Sequence, residues 1–330
     1  MGTMDFDKLF DQFPEIKIGV VGDVMLDTYW WGHVERISPE APVPVVSLDK
    51  KEYRIGGAGN VALNLASLGA KTQIISVIGM DDDGQTLRKL LANKEIGTDW
   101  LQISKERITT NKARIISRNQ QMMRLDSENT HDLSSIDEER LIEAFQSYIK
   151  KEKPEAVIFE DYNKGVLTSK VISECISFCK RNKVATAVDP KKKNFFSYQD
   201  VNIFKPNLKE VREGLNLLME HINSESLEEV HHQLQSKLHH QISFITLSEK
   251  GVFFMENGQG RIIPSHFRNI TDVSGAGDTV IAVASLIYAC TKNVSLMAAV
   301  ANIAGGLVCE EVGTVAVDKH RLLRECKLLL

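Results

Sequence analysis

The sequence predicts an α/β fold, a mainly parallel sheet flanked by helices, and three observations predict it. Short β-branched runs alternate with longer segments of helical period. The runs are apolar on both faces, as strands covered by helices on either side must be. Two stretches, 28–53 and 109–126, break the rhythm, being rich in β-branched and aromatic residues without a helical period. They predict a small β-sheet lid.

Taken in order, the buried strands are expected at 16–21, 74–78, 156–159, 184–188, 201–204 and 242–247. Helical segments fall between them at 60–68, 84–92, 137–150, 169–180, 208–220 and 227–238, and the last stretch is helical from near Gly275. Such alternation implies right-handed crossovers. In the first lid segment Pro39, Pro42 and Pro44 allow only edge-like or irregular β structure, so a small antiparallel flap is expected over the carboxyl ends of the parallel strands. No Pro/Gly/Ser-rich linker, internal repeat or low-complexity tract divides the chain. Residues 1–330 therefore read as a single domain with the lid inserted.

Composition excludes several classes. Forty Lys+Arg stand against 44 Asp+Glu in 330 residues, a formal net charge of −4, which argues against a strongly basic nucleic-acid binder. Cys175, Cys179, Cys290, Cys309 and Cys326 form no C-x-x-C pair, so neither a zinc cage nor a disulfide framework is indicated. Residues 1–15 are acidic and aromatic, unlike a signal peptide. The longest apolar stretches, near 280–290 and 298–309, fall short of the roughly 20 residues a membrane span needs. A soluble, cytoplasmic protein is expected.

The strongest local signal is Thr271-Asp-Val-Ser-Gly-Ala-Gly-Asp278, leading into an apolar helix. Small residues let the backbone approach a ligand, and a helix's opening turn presents unpaired N–H groups and partial positive charge. Asp278 then accepts a hydroxyl proton while the amides hold a transferring phosphoryl group. The alternative is an ordinary helix start with an acid in its first turn. Gly56-Gly-Ala-Gly-Asn60 opens an earlier helix, where Asn60 both donates and accepts, as sugar hydroxyls require, or simply caps. Gly22-Asp-Val-Met-Leu-Asp27 places Asp23 and Asp27 beyond the first strand, to take polyol hydroxyls, bind a metal or cap a turn.

The two glycine-rich motifs, in this order and roughly two hundred residues apart, resemble the signatures of the ribokinase-like (PfkB) carbohydrate kinases. Arg36-Ile-Ser-Pro-Glu-Ala-Pro-Val-Pro-Val45, Ser117-Arg-Asn-Gln-Gln121 with Arg124-Leu-Asp126, and Asp161-Tyr-Asn-Lys-Gly165 resemble a branch of that family. Its members phosphorylate D-glycero-β-D-manno-heptose 7-phosphate at the anomeric hydroxyl to the 1,7-bisphosphate, for ADP-heptose and lipopolysaccharide core synthesis. The resemblance implies a ribokinase-like sheet with a lid, ATP and Mg2+ as cofactors and, in many members, a potassium ion. It also implies a homodimer joined through the lids. Two other functions stand beside it: a kinase for another sugar, or a catalytically silent sugar-phosphate-binding regulator.

By matching position, Asp278 is the expected base, with the amides of Gly275, Ala276 and Gly277 stabilising the transferring group. Asp27, Gly57 and Asn60, with Asp23 beside them, match sugar-binding positions. Arg118, Arg124, Lys164 and Lys191 are offered as cations for the sugar phosphate, Arg118 foremost because it lies in the lid motif. Asn207 and Glu210 match an Asn-x-x-Glu element that organises magnesium through water, and also spell a capping box. Thr246, Ser248 and Gly251 match the nucleotide loop, and Asn302 a residue beside the base. Asp272 and the loop at 311–314 match a monovalent-cation site. Glu160 is a departure, standing where that branch often has a small residue. The chain reads as a stand-alone kinase without a nucleotidyltransferase domain. His231, His232, His239 and His240 read as a solvated polar helix face, Cys175 and Cys179 as core, and Trp30 and Trp31 as lid packing or a contact surface.

Overall fold

The structure, a computed structural model, describes residues 4–330 apart from 119, 218–220, 257 and 267. A nine-stranded sheet carries the chain. Its strands are β1 (Lys17–Gly22), β4 (Lys71–Gly79), β5 (Leu101–Ser104), β8 (Ala156–Glu160), β9 (Ala185–Asp189), β10 (Ile203–Phe204), β11 (Ile242–Thr246), β12 (Val252–Glu256) and β13 (Gln259–Ile263), ordered β13-β12-β11-β10-β9-β8-β1-β4-β5. The pairs from β11 through β5 are parallel, and β12 and β13 close one edge as antiparallel strands. The chain runs from β1 outward to β4 and β5, then returns to β8 on the other side, so the order reverses at β1. In open parallel sheets a crevice forms there, outside the strands' carboxyl ends.

Two hydrophobic cores line the two faces, and neighbouring residues of one strand alternate between them: Val20 and Ile74 enter one, Val21 and Ile75 the other. The first is covered by α1 (Phe6–Asp11), α2 (Ala58–Ser67), α3 (Asp82–Ala92), α8 (Ala276–Thr291), α9 (Val294–Val308) and α10 (Lys319–Leu329). The second is covered by α4 (Ser135–Glu152), α5 (Ser169–Arg181), α6 (Leu208–Leu215) and α7 (Ser224–Leu238).

A separate four-stranded sheet is built from β2 (Val24–Ile37), β3 (Pro44–Gly57), β6 (Asn111–Ser117) and β7 (Gln120–Ser127), ordered β3-β2-β6-β7. Its central pair, β2 and β6, is parallel. The wholly antiparallel flap expected from sequence is corrected on this point. The chain passes through α2, β4, α3 and β5 before β6 re-enters beside β2 from the same end, whereas the hairpin partners β3 and β7 run antiparallel.

Other differences are local. The strands β5, β12 and β13 and the six-residue α1 escape a period count because each is too short to show one. The helix expected over 208–220 stops at Leu215, where Asn216 takes a left-handed conformation as C-cap; residues 218–220 lie outside the described part, as does Asn119 of the lid motif. The histidine cluster is a solvated face only in part: His232 and His239 are exposed as expected. His231 and His240 are buried and both meet the Ser243 hydroxyl, at 2.9 and 2.6 Å, because His240 falls beyond the helix end and turns inward. Among the described residues all five cysteines are free, and Cys175 and Cys179 are buried. No described helix is long and apolar enough to cross a membrane.

Candidate active site

Asp278 lies in the first turn of α8, and that turn exists because Gly275 caps it at φ +77°. A Cβ at Gly275 would meet Asn60 Nδ2 and Thr314 Cγ2 at 2.9 Å, so both the backbone angle and the packing demand glycine. Gly57 serves α2 likewise, as its N-cap at φ +59°, with the Asp23 carbonyl 2.3 Å from a would-be Cβ. Asn60 is thereby carried to the start of α8. Its Nδ2 donates to Asp278 Oδ2 at 2.7 Å, and the Tyr162 hydroxyl donates to Asp278 Oδ1 at 2.8 Å. Asn64, one turn on, accepts from Thr279 Oγ1 and from the Val317 amide, both at 3.0 Å, locking α2 to α8.

Burial pushes the Asp278 carboxyl up to about 6, against the two hydrogen bonds that pull it down. A carboxyl tuned this way still ionises at neutral pH and is a better proton acceptor than an ordinary aspartate. Ahead of it, the N–H groups of Gly275 and Gly277 meet no acceptor among the described residues, while that of Ala276 turns back to the Val273 carbonyl at 3.3 Å. The three-amide hole expected from the motif therefore has two free donors, because the turn spends the third.

Below Asp278, the ends of four strands present a row in register. Gly22 pairs with Glu160, Glu160 pairs with Asp189, and Lys205 follows β10 beside Asp189. Lys205, only 2% exposed, sets its Nζ 2.7 Å from Asp189 Oδ2; Lys191 Nζ lies 3.7 Å from the other oxygen. Lys191 also reaches Glu210 Oε1 at 2.7 Å, and Glu210 with Asn207 forms the expected capping box of α6. Lys191 and Glu210, nineteen residues apart in chain segments read separately, thus meet.

The remaining candidates have varied surroundings. Asp23 is buried, and its carboxylate accepts the amides of Tyr162, Lys164 and Val166 at 2.8–3.0 Å, which shapes the 161–166 loop. Asp27 is buried and accepts Arg114 Nη1 at 2.5 Å. Lys164 pairs with Glu128 at 2.7 Å, and Arg124 grips Asp126 through two bonds of 2.7 and 2.9 Å. Arg118 sits exposed in the β6–β7 turn at φ +48°. Ser117, its neighbour, pairs with Gly32, whereas the first residue of β6 pairs with Leu26 beside Asp27. Six residues of strand place Arg118 about 20 Å out along β6 from that point. Arg114 and Arg54, both over the Tyr29 ring at 5.2 and 4.6 Å, are the arginines nearer the crevice. Neither stands in a glycine-rich motif, so only the strand pairing reveals them.

Asn207 bridges to Thr246, joining the two nucleotide segments expected from sequence. Ser248 and Gly251 bound a tight turn, both at positive φ, and Asn302 Nδ2 donates to the Pro264 carbonyl at 2.9 Å. Asp272 accepts the Ser274 amide and hydroxyl and the Gly313 amide, tying the 271–274 turn to the 311–314 loop. Tyr162, Glu160 and Lys205 were not singled out from sequence as site residues. Tyr162 sits inside a quoted motif, but only the fold turns its hydroxyl toward Asp278.

A buried carboxylate beside free helix amides, at the crevice of a parallel sheet, suits the transfer of an anionic group onto a hydroxyl. The model of the pfkB family carbohydrate kinases matches residues 15–320. The chain belongs to that family. It is 35% identical over 325 residues to the bifunctional protein HldE of Syntrophotalea carbinolica, covering 98% of this chain and 65% of that protein. It is 40% identical over 306 residues to the protein of the same name from Nitratiruptor sp., covering 93% of this chain and 64% of that one. The chain spans just under two thirds of the length of these relatives. Among solved structures it resembles phosphofructokinase-2 from Escherichia coli, in complex with potassium, at a TM-score of 0.78 and 17% identity, covering 94% of this chain and 99% of that one. The likeness at that identity shows a common ribokinase-like fold.

Proposed function

We propose that the protein transfers the γ-phosphoryl group of ATP to the anomeric hydroxyl of D-glycero-β-D-manno-heptose 7-phosphate. The observation that carries the chemistry is the Asp278 carboxylate, buried and aimed by Asn60 and Tyr162 beside two unengaged helix amides. The heptose assignment is supported by the lid and loop motifs and by the likeness to proteins named HldE.

In this reading the sugar lies in the crevice beneath the four-stranded sheet. Asp278 takes the hydroxyl proton as the oxygen attacks the γ-phosphorus, the bond to the β-phosphate oxygen breaks, and ADP leaves. The amides of Gly275 and Gly277 take up charge on the transferring group, and Lys191 and Lys205 add positive potential at the strand ends. Asp27 and Asn60 remain the proposed hydroxyl contacts. Glu210 offers one carboxylate near Lys191 and Asn207, which fits a magnesium ion that keeps most of its waters; the ion's part is to neutralise the phosphate oxygens. Asp272 gives Oδ1 to the Ser274 amide and hydroxyl but takes only the Gly313 amide on Oδ2, so it keeps an acceptor site and remains the proposed residue for a potassium ion, and no step runs through that ion. Nucleotide contacts are assigned to Thr246, Ser248, Gly251 and Asn302. Exposed Leu48, Met122, Met123 and Leu125 on the four-stranded sheet support a homodimer formed through it.

The experiment is ADP release measured over a panel of sugars and sugar phosphates. Turnover with the heptose 7-phosphate at least about tenfold above ribose and fructose 6-phosphate supports the reading. Turnover of ribose with none of the heptose phosphate sinks it. For the phosphate end, the geometry favours Arg114 over Arg118 within one chain, since a guanidinium paired to Asp27 keeps further donors. Arg114→Ala is expected to raise KM for the phosphorylated sugar about tenfold or more with little change for ATP, and Arg118→Ala to do less. The reverse ranking would place the phosphate at the outer turn.

A further inference from the structure

Glu160 ends β8 wholly buried, and neither of its carboxyl oxygens has a hydrogen-bond partner among the described residues. The register settles its position. Gly22 stands on one side with no side chain, Asp189 on the other, and Asp278 descends from α8. One carboxyl oxygen from each of Glu160, Asp189 and Asp278 lies within 4.8 Å of the other two.

The charged groups around this trio are unevenly shared. Lys205 and Lys191 both stand against Asp189, at 2.7 and 3.7 Å, so it has its counter-charge. Asp278 has two hydrogen-bond donors, Asn60 and Tyr162. The hydroxyl of Tyr198, the other titratable group nearby, is committed to Asp161 at 2.7 Å. Glu160 is left with nothing. Three like charges this close in a dry site cannot all be ionised, and the proton stays on the group with least support for its charge.

We propose that Glu160 is a proton-holding positioning residue: a neutral carboxylic acid beside Asp278 at working pH, whose ionisation in alkali closes the site. This inference rests on the reading of Asp278 as the proton acceptor. An ionised Glu160 would put a further negative charge beside both the base and the arriving γ-phosphate. Burial, with Asp189 and Asp278 adding to it, raises its carboxyl well above the ordinary range. Nothing in the proposal consumes the Glu160 proton in the transfer step. It tunes the charge around the base and leaves the proton of the sugar hydroxyl to Asp278.

Infrared difference spectra at pH 8 test the protonation directly, because Asp278 and Asp161, both raised to about 6, are then ionised. The carbonyl band of a protonated acid is expected in the wild type and in Asp278→Asn, and lost in Glu160→Gln. Glu160→Ser, a smaller side chain, repeats the comparison should the glutamine variant fail to fold. In pH–rate profiles the alkaline limb is expected to move up by about one unit or more in Glu160→Gln. Spectra that do not differ between wild type and either Glu160 variant overturn the proposal, as does an alkaline limb left in place. If no sugar phosphate is turned over by any form, the kinase reading fails instead, and the spectra still decide the state of Glu160.

Discussion

Asp278→Asn is expected to lower kcat by about 10²–10⁴-fold while ATP affinity changes by no more than a few-fold, measured by ADP release and by equilibrium titration. The loss belongs to the transition state, because the carboxylate gains a proton only as the new bond to phosphorus forms. The substitution keeps the size of the side chain but removes one acceptor. One of the two donors now facing it, Asn60 Nδ2 or the Tyr162 hydroxyl, then loses its bond. Thermal unfolding of the same variant separates that local cost from the catalytic one. The pH dependence has a definite sign. A base works deprotonated, and with its carboxyl raised to about 6, wild-type kcat/KM should fall as pH drops through about 6 and level off above it until the alkaline limb assigned to Glu160. The residual rate of Asp278→Asn should lack that acid limb. An unchanged limb in the variant would assign the proton to another group.

Lys205→Met should destabilise the fold by about 3–5 kcal/mol, read as a lower midpoint in urea unfolding. Lys205 is 2% exposed and its ammonium sits 2.7 Å from Asp189, so the substitution leaves a buried carboxylate beside Glu160 and Asp278 with Lys191, 3.7 Å away, as its remaining counter-charge. Burial alone would raise the Asp189 carboxyl, but Lys205 and Lys191 outweigh it and hold it below its ordinary value. That balance shifts when the ammonium is lost. Adding Asp189→Asn to Lys205→Met should recover part of the loss, since the carboxylate charge is then gone. A double variant as unstable as the sum of the singles would mean that the two side chains do not act as a pair.

Much of the fold was legible because the buried parallel strands announce themselves. Runs such as 74–78 and 156–159 have apolar residues on both faces, which only a sheet covered on both sides can bury. The capping box of Asn207 with Glu210 marked the start of α6 as well, whereas α2 is capped by Gly57 and not by Asn60. The edge strands β12 and β13 and the short β5 were not legible, since a few residues carry no period. The parallel entry of β6 beside β2 was also hidden, because hairpin reasoning sees only neighbours in the chain. The same limit hid the inward turn of His240, which depends on where α7 ends.

Local sequence determined the two glycine turns, the apolar helix behind Asp278 and the strand–helix alternation, because each arises from forces acting within a few residues. Backbone angles at Gly57 and Gly275 and the period of burial need no distant partner to be read. Only the tertiary structure decided which side chains meet. Asn60, Glu160 with Tyr162, Asp189 and Lys205 come from four separate segments, and their charges and hydrogen bonds acquire meaning once the sheet order sets them beside Asp278. Electrostatic tuning falls off within a few ångströms, a distance that chain order does not record.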